Sequence, residues 1–140
     1  MTSGRTKRRL EAIEVVLEGL RERDAHTAIL VEGDRDVRAL GDLGVPGPIV
    51  KLNAGESLLN MCESLARRYD AIVLLTDWDT KGEQLAMRLR ANLERTAVRV
   101  DTLPRERLGR LVRPEVSAVE ALAPLVERLR RAVGTEARRV

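Results

Sequence analysis

An α/β fold, with a parallel sheet of about four strands and helices on both faces, is what three features of this sequence predict. Short apolar runs recur at Thr27–Val31, Ile49–Leu52, Ile72–Thr76 and Ala97–Val100, with helix-like stretches between them. The runs are apolar throughout rather than alternating, as expected of strands buried on both faces. Acids then stand where the runs end, at Glu32, Asp77, Asp79 and Asp101. In open parallel sheets, ligands bind beyond the carboxyl ends of the strands.

Residues 5–23 place Leu10, Ile13, Val16, Leu17 and Leu20 on one face with charges opposite, so an amphipathic helix fills the N-terminal segment 1–24. Its leading Arg5, Lys7, Arg8 and Arg9 could touch phosphate, but read first as a solvated helix end. Thr27–Val31 forms a strand ending in Glu32-Gly33, and Asp34 caps a helix running to about Leu43. Gly44 and the Pro46-Gly47-Pro48 turn stop that helix. Ile49–Leu52 is the second strand, and Asn53-Ala54-Gly55 leads into a helix over 56–68. The third strand delivers Asp77 and Asp79 to one side while Trp78 points away, since side chains alternate along a strand. A helix over about 82–93 follows, with Leu85, Ala86, Leu89 and Leu93 inward, and Ala97–Val100 is the fourth strand.

The core therefore spans 25–101 of a single 140-residue domain, and 102–140 form a C-terminal helical extension. Pro104–Arg113 is Arg-rich and reads as a short helix. Ser117 and Glu120 form a capping box, opening a helix with Val119, Leu122, Val126, Leu129 and Val133 at helical spacing. Residues 134–140 are expected to fray.

Composition narrows the chemistry. Cys62 is the only cysteine, which excludes an internal disulfide and a thiolate metal cluster. His26 is the only histidine and reads as a polar residue at a strand entrance, leaving a Ser-His-Asp mechanism unsupported. Tyr69 and Trp78 are the only aromatic residues, too few for a base-stacking platform. No apolar stretch approaches the roughly 20 residues of a membrane span. The basic N-terminus lacks a following apolar run, so a cytoplasmic location is expected. The net charge of +3 comes almost wholly from arginine, with Lys7, Lys51 and Lys81 the only lysines. Arginine pairs phosphate bidentately, although genome composition yields the same bias.

Two carboxylates side by side, where a strand gives way to a helix, suit Mg²⁺. That ion is commonly held by one or two carboxylates and keeps water and phosphate in its other positions. Acids that merely cap helices are the plain alternative. Clustered carboxylates repel one another unless a cation bridges them, which that alternative leaves unexplained.

Val31-Glu32-Gly33-Asp34-Arg35-Asp36-Val37 with Ala39-Leu40, followed by Thr76-Asp77-Trp78-Asp79-Thr80-Lys81-Gly82-Glu83, resembles the two motifs of the Toprim family. Its members include type IA topoisomerases, bacterial-type primases, the nuclease that matures 5S ribosomal RNA and overcoming-lysogenization-defect nucleases. The resemblance covers roughly residues 27–101 and implies the Toprim fold. It also implies that Asp77 and Asp79 bind Mg²⁺, with Mn²⁺ as an alternative, and that Glu32 is the general acid or base and shares the metal. Asp36 matches a primase acid and could hold a second ion. Gly33 and Gly82 would let the backbone pass close to metal and phosphate, and with Lys81 and Lys51 they make up the expected substrate-binding set. Asp34 reads as an N-cap.

Lys81 departs from the pattern, since topoisomerases carry a third acid there; it either grips phosphate or is simply solvated. The chain is too short for a separate domain bearing a nucleophilic tyrosine, and Tyr69 reads as a packing residue. One cysteine cannot supply a primase zinc module. What remains is a stand-alone Toprim unit. The function it implies is Mg²⁺-dependent phosphodiester chemistry on nucleic acid, above all endonucleolytic cleavage or processing of structured RNA. The alternative is a non-catalytic or subunit module of a larger nucleic-acid-processing complex. A protein partner or a homodimer stays open, and no membrane partner is expected. A haloacid-dehalogenase-like phosphatase would need a glycine directly after the second Asp, where Thr80 stands, and a receiver domain would need a late-strand lysine.

Overall fold

A computed structural model describes residues 2–138. In chain order the elements are α1 (Thr2–Arg21), β1 (Thr27–Val31), α2 (Asp34–Asp42), β2 (Ile49–Lys51), α3 (Leu58–Arg68), β3 (Ala71–Leu74), α4 (Thr80–Leu93), β4 (Arg99–Asp101), α5 (Leu103–Val112), a 3-10 turn (Val119–Ala121) and α6 (Leu122–Arg138). The four strands are all parallel in the order β2-β1-β3-β4. The expected α/β architecture is therefore present, with helices on both faces.

Alternation along the two central strands divides the core. Ile29, Val31, Val73 and Leu75 join Ile13, Leu17 and Leu20 of α1, Leu40 of α2, Leu108 and Val112 of α5, and Leu122, Leu125 and Val126 of α6. Ala28, Leu30, Ile72 and Leu74 face the other way, onto Met61, Cys62 and Leu65 of α3 and Leu89 and Leu93 of α4. Helices α1, α2, α5 and α6 thus cover one face, α3 and α4 the other. The C-terminal segment supplies much of the larger core.

The strand order sets the location of a crevice. From β1 the chain moves outward to β2, and from β3 it moves outward to β4 on the opposite side. Beyond the carboxyl ends of β1 and β3 the crossovers diverge, leaving the gap in which such sheets bind ligands. Leu30 pairs with Leu74 in register, so Glu32 and the Thr76–Asp79 loop emerge side by side.

Several elements differ from the sequence-based expectation for local reasons. β3 ends at Leu74 because the next backbone groups find side-chain partners: the Thr76 carbonyl accepts from Arg105, and the Asp77 amide donates to Glu32. Asp77 and Asp79 therefore sit on a loop, not on a strand. α4 begins at Thr80 because Asp79 is its N-cap. α2 is capped at Gly33, and Asp36 rather than Asp34 accepts the Gly33 N–H. Gly44, at φ 76°, ends that helix as expected. The Ser117–Glu120 capping box does not form; a 3-10 turn opens the segment, and its Val119 amide donates to Asp77 instead. α6 continues through Gly134 to Arg138, while residues 139 and 140 lie outside the described residues. Arg9 is not simply solvated: it donates to the Leu111 carbonyl and pairs with Glu115.

Candidate metal centre

Glu32, directly after β1, and Asp77, three residues after β3, meet at the crevice: Glu32 Oε2 accepts the Asp77 N–H at 2.8 Å. Residues 45 positions apart are thereby joined through a carboxylate. Asp77 Oδ1 accepts the Val119 amide at 2.8 Å, and Asp79 Oδ1 accepts the Gly82 amide at 2.7 Å. Each of the three carboxylates so far has one oxygen bound to a backbone N–H.

The charges of these acids act on one another. Burial, followed by the charges of Asp77 and Asp79, pushes the Glu32 carboxyl above its ordinary range, against the lowering effect of the Asp77 N–H bond and of Lys81. Asp36 is raised too, first by burial and then by the charge of Asp77, with Glu120 adding to it. These acids crowd one another in a partly desolvated crevice, the condition that a bound cation relieves.

Among the described residues, no group of three or more His, Cys, Asp or Glu side chains is placed so that it could hold a metal ion as the side chains stand. Mg²⁺ does not require such a group, because it keeps much of its hydration and binds proteins through one or two carboxylates. The donor set is hard oxygen only, its charges are mutually repelling, and Asp79 is exposed to solvent. It fits Mg²⁺ or Mn²⁺, and not a soft ion that favours thiolate or imidazole.

The other expected site residues fall into two groups. Lys81 is exposed, and its charge reaches Glu32. Asp36 is buried on α2, with Oδ2 on the Gly33 amide at 3.1 Å, so its carboxylate also serves as part of the helix cap. Lys51, by contrast, is paired with Asp34 at 2.8 Å. Asp101 accepts the Leu103 amide at the start of α5.

The two glycines differ. A Cβ at Gly82 would stand 2.0 Å from the Asp77 carbonyl oxygen, so this glycine lets α4 pass against the acid loop itself. A Cβ at Gly33 would meet nothing within 4 Å, leaving open space beside Glu32.

Sequence reasoning missed two residues behind the loop. Thr76 is fully buried, and its hydroxyl donates to the Gly82 carbonyl at 2.8 Å. Arg105, 6% exposed, donates to the Thr76 carbonyl at 3.0 Å, to the Asp77 carbonyl at 2.5 Å and to Glu83 at 3.1 Å. In the sequence Arg105 is one arginine in an Arg-rich stretch. The available signal was Gly109, an isolated glycine one helical turn beyond it.

A parallel sheet ordered 2-1-3-4, with a glutamate after one central strand and an Asp-x-Asp loop after the other, defines a class, and the chain belongs to the Toprim domain family, which it matches over residues 27–106. Along most of its length it is similar to proteins named UPF0292. The UPF0292 protein Mbar_A0484 of Methanosarcina barkeri is 36% identical over 129 residues, covering 91% of this chain and 90% of that protein. A UPF0292 protein of Thermococcus gammatolerans is 40% identical over 118 residues, covering 83% and 81%. Among solved structures, a putative protein from Aquifex aeolicus superposes with a TM-score of 0.63 at 25% identity, covering 80% of this chain and 95% of that one. Family membership carries a metal-dependent, nucleic-acid-related function with Mg²⁺ as the usual ion. No helix among the described residues is long and apolar enough to cross a membrane.

Proposed function

We propose that this chain carries out Mg²⁺-dependent phosphodiester chemistry on nucleic acid, with endonucleolytic cleavage or processing of structured RNA as the leading reading. The observation that carries it is the meeting of Glu32 with the Asp77–Asp79 loop at the sheet's switch point. Asp77 and Asp79 would hold the ion through the oxygens not engaged by Val119 and Gly82, with Glu32 beside them. A bound Mg²⁺ supplies Lewis-acid charge that neutralises phosphate and orients an oxygen for in-line displacement.

Glu32 stands beside the acid loop with a carboxylate that can move a proton. One oxygen is fixed by the Asp77 amide, which orients the group. It would accept a proton from the attacking oxygen, or return one to the leaving oxygen. Lys81, exposed beside it, offers a point charge for a substrate phosphate. Asp36 would serve a second ion, and Gly33 leaves room for a phosphate to approach Glu32. Lys51 would have to leave Asp34 to grip substrate.

Incubating the purified chain with a panel of structured RNAs and DNAs in Mg²⁺ tests this directly. Cleavage by the wild type that is lost in Asp79→Asn supports it. Cleavage that persists in the variant, or that is absent from the wild type across the panel, counts against it.

A second reading, a nucleic-acid-binding module or subunit without catalysis, draws on the structural duties of the acids. Asp79 caps α4, Asp77 holds Val119 and Asp36 holds Gly33, so all three would persist without turnover. Mg²⁺-dependent nucleic-acid binding without cleavage would favour it.

A further inference from the structure

The two peptide groups flanking Asp77 are each held at both ends. In the Thr76–Asp77 peptide, the carbonyl accepts from Arg105 Nε at 3.0 Å, and the N–H donates to Glu32 at 2.8 Å. In the Asp77–Trp78 peptide, the carbonyl accepts from Arg105 Nη2 at 2.5 Å, and the N–H donates to the Ser117 carbonyl at 2.8 Å. With both flanking planes fixed, the backbone torsions of Asp77 are set, and so is the direction in which its carboxylate leaves the chain. One guanidinium supplies the carbonyl half of that grip.

Arg105 is itself immobilised. Its side chain is 8% exposed, its Nη2 also donates to Glu83, and its own carbonyl accepts the Trp78 indole N–H at 2.8 Å. A planar fork can serve two successive carbonyls and a carboxylate together, whereas an ammonium is a point charge on a flexible stem. Burying this cation is costly unless it is fully partnered. Its partners all lie on the acid loop or on the first turn of α4 that the loop caps. A surface arginine at this position would have spared the fold that demand, so the arrangement calls for a reason beyond packing.

We infer, on the reading of the acid loop as a divalent-cation site, that Arg105 is its positioning residue: from α5 it turns the carbonyls of Thr76 and Asp77 away from the crevice, leaving the Asp77 amide on Glu32 and the Asp77 carboxylate aimed at the ion. Arg105 touches neither ion nor substrate. It acts through the loop, as an outer partner orients an inner ligand.

The test uses the full chain and Mn²⁺ alone as probe, with binding read by electron paramagnetic resonance at a temperature where circular dichroism shows every variant folded. Arg105→Lys keeps the charge and Arg105→Met removes it. Leu108→Ala, on the same helix and fully buried but with no polar side-chain atom to hold the loop's carbonyls, reports the effect of destabilisation. Arg105→Lys is expected to weaken Mn²⁺ binding about tenfold or more, and Arg105→Met at least as much, while Leu108→Ala leaves it unchanged. Amide exchange at Asp77 and Trp78 should also speed up in Arg105→Lys relative to Leu74. Wild-type affinity in Arg105→Lys, or an equal loss in Leu108→Ala, overturns the assignment. A wild type that binds no Mn²⁺ overturns the cation site instead. In that event, unchanged exchange at Asp77 in Arg105→Lys also overturns the hold of Arg105 on the loop.

Discussion

Trp78 lies against Gly109 so closely that a Cβ on the glycine would stand 2.7 Å from the indole Cδ1. The residue between the two acids is thus anchored in the core at 2% exposure, with its N–H on the Arg105 carbonyl, and α5 is shaped to receive it. Gly109→Ala forces one of the two to move. We expect a loss of about 1–3 kcal/mol by urea denaturation, as for other overpacked cores, and weaker Mg²⁺ binding because the loop moves with its indole. Unchanged stability would show that the contact is loose.

Asp79 has two duties that substitution separates. Asparagine is as good an N-cap as aspartate, so Asp79→Asn should keep the bond to the Gly82 amide and melt close to the wild type while losing Mg²⁺ affinity. Asp79→Ala should lose both, with about 0.5–2 kcal/mol of stability gone with the cap. Thermal melts with Mg²⁺ and with a chelator measure the two effects. Equal Mg²⁺-induced stabilisation in wild type and Asp79→Asn would remove Asp79 from the metal set.

The raised carboxyl of Glu32 gives a pH signature. The folded chain holds this proton more tightly than the unfolded one, so stability falls as pH rises from about the ordinary value of 4.5 through the raised folded value. Glu32→Gln keeps an acceptor for the Asp77 amide without the charge. In chelator, its melting temperature should therefore gain on the wild type across that window, and Mg²⁺ should narrow the gap at neutral pH. A difference between the two proteins that is constant with pH would contradict the crowding.

Much of this was legible in the sequence. Apolar runs alternating with amphipathic stretches set out all four strands in order, and the acids after β1 and β3 marked the crevice. What the pattern could not show was which backbone groups those acids would hold. Asp77 reads as a strand residue until Arg105 and Glu32 are known to take the ladder's place. Gly33, not Asp34, is the N-cap of α2, and the folded-back carboxylate of Asp36 is the one that reaches its amide. The apparent capping box at Ser117 and Glu120 was a local signal overruled by a distant partner, Asp77, 42 residues away from Val119. Buried Arg105 had no periodic signature at all, because its reason for burial lies on another element.

The segment after residue 106 is expected to be needed for folding. Leu108, Val112, Val119, Leu122 and Val126 are fully buried against α1 and the sheet. Each contributes about 1.5–3 kcal/mol on burial, and their sum rivals the roughly 5–15 kcal/mol that holds a domain together. A chain ending at Glu106 should therefore lack a cooperative melt and be cut rapidly by protease. A sharp melt in that fragment would show that the sheet stands without its C-terminal cover.

If Glu32, Asp77 and Asp79 form one divalent-cation site, an amide NMR spectrum titrated with substoichiometric Mn²⁺ locates the ion among them. Paramagnetic broadening should strike first at Gly33, Asp77, Trp78 and Gly82, and the pattern should vanish in Asp79→Asn. Broadening centred on surface acids elsewhere, such as Glu63 or Asp70, or persisting unchanged in the variant, would rule that site out.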